Sequence, residues 1–124
     1  MAQKVILIID DDKDVNLILA KELGRLGHRV INTYDGIEGL ACVHRENPDM
    51  IILDIMMPQK DGYEVLKELK SDQKTKNIPV ILLTGLGLDE ELSKGISLGA
   101  EHYLIKPLKI KLLLQCIETS LASK

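Results

Sequence analysis

Three short runs of unbroken apolar residues, Val5-Ile6-Leu7-Ile8-Ile9, Met50-Ile51-Ile52-Leu53 and Val80-Ile81-Leu82-Leu83, constrain what this chain can fold into more than any other feature. Without the alternation of a strand that has one wet face, each reads as a strand covered on both sides, which is how the central strands of a parallel sheet look. Arg29-Val30-Ile31-Asn32-Thr33 and His102-Tyr103-Leu104-Ile105 are less apolar and suit strands at or near the sheet edges. Between the strands lie stripes at helical spacing: Val15, Ile18, Leu19, Leu23 and Leu26 in the first helix, and Leu113, Leu114, Ile117 and Leu121 in the last. Weaker stripes run through Ile37, Leu40 and Val43, through Val65, Leu66 and Leu69, and through Leu88, Leu92 and Ile96. Gly27, Asn47-Pro48 and Gly99 stand where the first, second and fourth helices should stop, and Pro79 opens the fourth strand.

Five strand-helix units in alternation imply an α/β fold with a doubly wound parallel sheet, for which the flavodoxin-like order 2-1-3-4-5, with helices on both faces, is one of the two common arrangements. At 124 residues the chain is expected to form one domain, residues 1–124, large enough to bury a core without disulfides or a structural metal. Cys42 and Cys116 lack CxxC or Cys/His metal spacing and read as small hydrophobes on helices. No apolar stretch approaches the roughly 20 residues that a spanning helix needs, and Met1-Ala2-Gln3-Lys4 leads straight into a strand rather than a signal peptide. A cytoplasmic protein with no membrane contact is expected. The net charge of −3 hides no long basic run, and with three tyrosines, no phenylalanine and no tryptophan there is little surface on which bases could stack. Direct nucleic-acid binding is not expected.

What ends each strand points to chemistry. The first apolar run ends in Asp10-Asp11-Asp12, the third strand in Asp54, the fourth in Thr84 and the fifth in Lys106 before Pro107. Ligands of open α/β sheets bind at the carboxyl ends of the strands, where these groups would meet. The second strand offers only Thr33, at the sheet edge and away from the site. Two aspartates about 4 Å apart repel by roughly 4 kcal/mol at an effective dielectric of about 20, so converging carboxylates call for a cation. All-oxygen ligands select a hard ion, magnesium or alternatively manganese, over zinc. Asp54 would then act as a nucleophile toward phosphorus, with Lys106 and the metal neutralising phosphoryl charge and Thr84 donating a hydrogen bond. Asp12 and Asp14 read as caps of the first helix, and His28, His44 and His102 as surface or turn residues.

The acidic cluster after the first strand, Ile-Leu-Asp-Ile-Met-Met-Pro at 52–58 followed by Asp61-Gly62, Leu-Leu-Thr-Gly at 82–85, and Lys106-Pro107 together resemble the receiver domain of two-component response regulators. The resemblance covers essentially the whole chain. It implies that Asp54 is the phosphorylated aspartate, that Asp11 binds Mg2+ directly, Asp10 through water, and that the Met56 backbone carbonyl is a further ligand. It makes Thr84 and Lys106 the phosphate contacts, Tyr103 an aromatic that changes rotamer with the threonine, Gly85 a position kept small for phosphoryl access, and Lys106-Pro107 a cis peptide. The donor would be a histidine kinase or histidine phosphotransfer protein. The output would be a partner or fused effector that reads the face made by the fourth helix, fifth strand and fifth helix. Such a chain assists its own phosphorylation and slow dephosphorylation without being a turnover enzyme.

Four features depart from the family or adjust it. Leu108 stands where phenylalanine often follows Lys-Pro, Gly95 weakens the fourth helix by roughly 1 kcal/mol against alanine, and Leu112 with Cys116, off the core stripe where charge is usual, reads as an apolar contact patch for a partner. By the same resemblance Met56 and Leu86 would flank the family's route for attacking water, and two apolar side chains there imply slow hydrolysis. Three other readings compete. A haloacid-dehalogenase-type phosphatase would need its nucleophile at the end of the first strand in an Asp-x-Asp-x-Thr pattern, and position 14 is aspartate. A receiver that signals without phosphorylation would have to leave a full set of site residues idle, and a flavodoxin-like cofactor protein would meet acidic repulsion at its phosphate site. The sequence is open between a stand-alone receiver and one cut from a longer protein.

Overall fold

The computed structural model describes residues 3–85 and 89–122. The elements run β1 (Val5–Ile9), α1 (Lys13–Arg25), β2 (Arg29–Thr33), α2 (Gly36–Glu46), β3 (Met50–Asp54), α3 (Gly62–Ser71), β4 (Val80–Thr84), α4 (Asp89–Ser97), β5 (His102–Ile105) and α5 (Ile110–Ala122). All five strands are parallel and lie in the order β2-β1-β3-β4-β5, so the most apolar runs are the interior strands and the two more polar ones the edges. This is the doubly wound, flavodoxin-like arrangement that the alternation of runs predicts.

Alternate residues of each strand feed two cores. Leu7, Ile9, Ile51, Leu53, Val80 and Leu82 pack on one face with Cys42 and Val43 of α2 and Val65, Leu66 and Leu69 of α3. Ile6, Ile8, Met50, Ile52, Ile81 and Leu83 pack on the other with Leu19 and Leu23 of α1 and Leu113 and Ile117 of α5. Both faces of the sheet are dry, which is why the central strands are apolar at every position. The helix ends follow local chemistry. Asp12 caps α1 by accepting from the N–H groups of Asp14 (2.9 Å) and Val15 (3.3 Å), and Asp61 forms a capping box with Glu64 at the start of α3. Gly27 and Gly99 take φ of +90° and +106°, and Asn47 closes α2 in the left-handed region.

Several helix positions turn out differently from the apolar stripes. Ile18 and Leu26 are half exposed, because α1 faces inward through Asn16, Leu19 and Leu23, and Ile18 lies one residue, about 100°, away from Leu19. Ile37 is exposed because glycines occupy the inward side of α2, where a Cβ on Gly39 would come within 2.5 Å of Ile9 Cδ1. Leu92 and Ile96 also stay largely exposed, and Leu88 lies outside the described residues. The inward residue between them is Gly95, whose Cβ would sit 2.6 Å from Leu82 Cδ1 and 3.2 Å from Tyr103 Cδ2. That glycine, read from sequence as a weak point of the helix, is a close-approach position. The next residue back, Lys94, holds its ammonium 4.3 Å from the Tyr63 ring centroid, a cation–π contact between α4 and α3. His28 is not a surface residue: it is buried, and its Nδ1 accepts from the Lys4 N–H at 3.3 Å. Cys116 is half buried against the second core, three residues from Leu113, and so does not extend an exposed patch with Leu112.

Two glycines separate packing from propensity. A Cβ on Gly62 would overlap the Asp54 carbonyl oxygen and lie 2.6 Å from Ile55 Cα, both backbone atoms that cannot rotate away, whereas one on Gly24 of α1 meets nothing within 4 Å. Gly62→Ala is expected to destabilise the protein by about 3 kcal/mol, while Gly24→Ala stabilises it by about 0.5–1 kcal/mol. Urea denaturation of both variants measures this, and a neutral Gly62→Ala contradicts the close approach.

Candidate functional site

Parallel register brings the strand ends together. Ile9 pairs with Leu53, so Asp10 follows beside Asp54; Asp54 pairs with Leu83, and Thr84 with Ile105, so Lys106 comes next in line. Backbone bonds extend the ladder past the strands, from Asp10 N–H to the Thr33 carbonyl (3.2 Å), Ile55 N–H to Leu83 (3.0 Å) and Lys106 N–H to Thr84 (2.6 Å). Asp10 is fully buried, Asp54 nearly so, and Asp11 exposed. Each offers a carboxylate oxygen, and the three lie within 4.8 Å of one another, close enough to hold one metal ion.

The cation set against them is Lys106. Its Nζ lies 3.0 Å from Asp10 Oδ2 and 3.6 Å from Asp54 Oδ1. Burial alone would lower the Lys106 ammonium, but its close pairing with Asp10 and the nearby charge of Asp54 outweigh this and raise it. Asp54 moves the opposite way from a paired carboxylate. Burial, then the charge of Asp10, push its carboxyl up to about 7, against the lowering effects of Lys106 and of the Met56 N–H that donates to it. Asp10 Oδ1 accepts from the Asp12 N–H at 2.9 Å, while Asp10 Oδ2 is buried and accepts no hydrogen bond of regular geometry among the described residues. A buried oxygen with the Lys106 ammonium beside it and two further carboxylates within reach fits a hard divalent cation, since oxygen donors are what such ions take.

The other residues singled out from sequence lie around this cluster. Thr84 is buried at the end of β4; Gly85 is exposed, and a methyl there would meet none of the described residues within 4 Å. Met56 is exposed in the β3–α3 loop. Leu86 lies outside the described residues. Tyr103 is half buried on β5, packed near Gly95, and the Lys106–Pro107 peptide is cis. Leu108 packs partly into the core behind the site.

The family model of the response regulator receiver domain matches residues 6–118 of this chain. The chain belongs to that family. The receiver is 42% identical over 106 residues, 86% of this chain and 41% of the relative, to a probable transcriptional regulator, ycf27, of Guillardia theta. Among solved structures it is similar to a putative response regulator from Chloroflexus aurantiacus, at 31% identity and a TM-score of 0.92, covering 98% of this chain and 99% of that one. It is also similar to the BeF3-activated N-terminal receiver domain of Klebsiella pneumoniae RstA, at 30% identity and a TM-score of 0.86, covering 94% and 97%. The receiver spans less than half the length of the curated relatives it matches. Phosphoacceptor signalling in two-component systems is the function of this family. The phosphatase and flavodoxin-like cofactor readings fall with that match.

Two polar residues near the site are invisible to a search for apolar stripes and charged strand ends. Asn16, on the inward side of α1, donates through Nδ2 to the Asp10 carbonyl at 2.7 Å and the Asp12 carbonyl at 3.2 Å. Its Oδ1 accepts from Asn32 Nδ2 of β2 at 2.8 Å. The available signal was the register 16, 19, 23, which puts an amide in line with two buried leucines. The second strand stays at the sheet edge and connects to the acidic turn indirectly, Asn32 to Asn16, while Thr33 fastens β2 to β1 by donating to the Ile8 carbonyl at 2.8 Å.

The raised Asp54 carboxyl sets a stability prediction. A folded-state value near 7 against an ordinary 3.8 means that the folded protein binds this proton more tightly than the unfolded chain, so stability falls as pH rises through that interval. In metal-free buffer Asp54→Asn is expected to stabilise the protein by on the order of 2 kcal/mol at about pH 8, and by little near pH 4. Urea melts at the two pH values measure it; an equal effect at both would show that charge is not the cause.

Proposed function

We propose that Asp54 is the phosphoacceptor of this receiver, taking a phosphoryl group from a phosphohistidine on a histidine kinase or histidine phosphotransfer protein in a Mg2+-dependent reaction. The observation that carries this is the gathering of three carboxylates and one ammonium at the end of the middle strand, β3. Asp10, Asp11, Asp54 and the Met56 carbonyl would hold the ion, with Mn2+ as a substitute. When bound, Mg2+ supplies positive charge against the oxygens of the transferring group.

An Asp54 carboxylate oxygen attacks phosphorus, the phosphorus–nitrogen bond of a donor ring protonated on its other nitrogen breaks, and the ring leaves as neutral imidazole. The product is an acyl phosphate on Asp54. Lys106, already within 3.6 Å of Asp54, is placed to exchange part of its pairing with Asp10 for a phosphoryl oxygen, and the Thr84 hydroxyl donates to another. The open space above Gly85 leaves room for the incoming group. One phosphoryl group per chain is the expected stoichiometry, so the receiver is a switch rather than a turnover enzyme, working in the cytoplasm. Among the described residues no helix is long and apolar enough to cross a membrane.

The output in this reading is a protein partner or fused effector at the α4–β5–α5 face rather than nucleic acid bound by the receiver itself. A groove of about 420 Å³ beside β5 and the start of α5 is lined by Tyr103, Ile105, Lys106, Leu108, Lys109 and Leu112, with Ile105 and Leu112 about half exposed. Tyr103 is the residue through which a change at Thr84 would reach it.

Intact mass after incubation with acetyl phosphate and Mg2+ should show one added phosphoryl group on the wild type and none on Asp54→Asn; unmodified wild type would refute the assignment. With apolar Met56 beside the site, the acyl phosphate should survive desalting at neutral pH, and loss within seconds contradicts that. Leu112→Glu should leave phosphorylation intact and weaken binding to the downstream partner, measured by calorimetry with each identified partner. Unchanged binding to all of them would remove the face from consideration.

A further inference from the structure

Asn16 is 1% exposed on the inward side of α1, at a place where the helix otherwise presents leucine. A buried amide is costly unless its hydrogen-bonding groups are matched. Here they are matched in a particular direction. Nδ2 reaches the carbonyls of Asp10 and Asp12, one on each side of Asp11, and Oδ1 receives Asn32 Nδ2 from the edge strand, which also approaches the Asn16 carbonyl at 3.2 Å. Forming the helix does not require this, because the Asp12 carbonyl already accepts the Asn16 N–H at 3.1 Å. Asn32 in turn is held in register opposite Ile8 of β1.

We infer that Asn16 and Asn32 are positioning residues that clamp the main chain on both sides of Asp11 and so set the direction in which the Asp10 and Asp11 carboxylates leave it. The inference rests on the reading of these carboxylates as holders of a divalent ion. Three consecutive aspartates repel one another, and an unclamped turn would relax by splaying them apart. The two carbonyls already require the donor end of the Asn16 amide, and Asn32, by donating to Oδ1, ties that amide to β2 so that it cannot swing away from them.

The clamp should matter more for one ion than for another. Mg2+ demands near-octahedral geometry at short distances, whereas Ca2+ accepts longer and more varied ligand sets. Loosening the turn therefore costs Mg2+ more than Ca2+, and urea unfolding reports general softening of the fold separately.

The test is calorimetric titration of the unphosphorylated wild type, Asn32→Ala and Asn16→Leu with MgCl2 and separately with CaCl2, alongside circular dichroism and urea unfolding. Asn32 is only half buried, so Asn32→Ala is the variant that keeps the fold. It should weaken Mg2+ binding by about tenfold, the scale on which outer partners of metal ligands act, and Ca2+ binding by clearly less. Asn16→Leu should shift the ratio further in the same direction. Equal losses for both ions, or no loss, overturn the clamp. A wild type that takes up no Mg2+ sinks the metal-holding reading itself, whereas a wild type that binds, matched by Asn32→Ala, sinks the clamp alone.

Discussion

Placing three carboxylates within 4.8 Å of one another at the end of a sheet built almost wholly of hydrocarbon is electrostatically unfavourable, and Lys106 offsets only part of the cost. The remainder shows up in Asp54, which burial and Asp10 drive to hold its proton up to about 7. Much of the surrounding structure can be understood as holding this unfavourable arrangement in place. The parallel register presents Asp10 and Asp54 side by side, and the backbone ladder continues past the strands at Asp10, Ile55 and Lys106. A less rigid frame would let the carboxylates separate and the site would disappear.

Rigidity comes from contacts that leave little space. Gly62 brings the first turn of α3 against the carbonyl of Asp54, and Gly39 brings α2 against Ile9, the residue before the acidic turn. The amide chain from Asn32 through Asn16 ties that turn to the edge strand. None of these three devices engages a carboxylate, so the oxygens stay available for a ligand. That division suits a phosphoacceptor, whose reactive atoms must be both fixed and reachable.

Strand positions and order were legible because burial on both faces leaves an unmistakable mark, and all five runs read from sequence coincide with β1 to β5 or fall one residue short at Asp54 and Thr84. The clustering of Asp10, Asp11, Asp54 and Lys106 was legible for the same reason: once strands are parallel and adjacent, their ends must meet. Helix orientation was less so. A stripe of apolar residues says that a helix is amphipathic but not which side chains face inward when glycine or asparagine occupies part of the buried face, as at Gly39, Gly95 and Asn16. His28 escaped notice because its burial comes from tertiary pairing with the Lys4 backbone, which no local pattern encodes.

The neighbouring residues Lys94 and Gly95 support α4 in two directions at once. Lys94 rests on the ring of Tyr63 in α3, next to the glycine that touches Asp54, and Gly95 seats the helix backbone on Leu82 and Tyr103. Both supports fall on one short stretch in the second half of the helix. They act together as a pin: a backbone seated on two side chains and an ammonium seated on a ring keep α4 from sliding along the sheet. Because Tyr63 follows Gly62 and Tyr103 lies on β5, that pin joins the helix both to the element packed on Asp54 and to the edge strand.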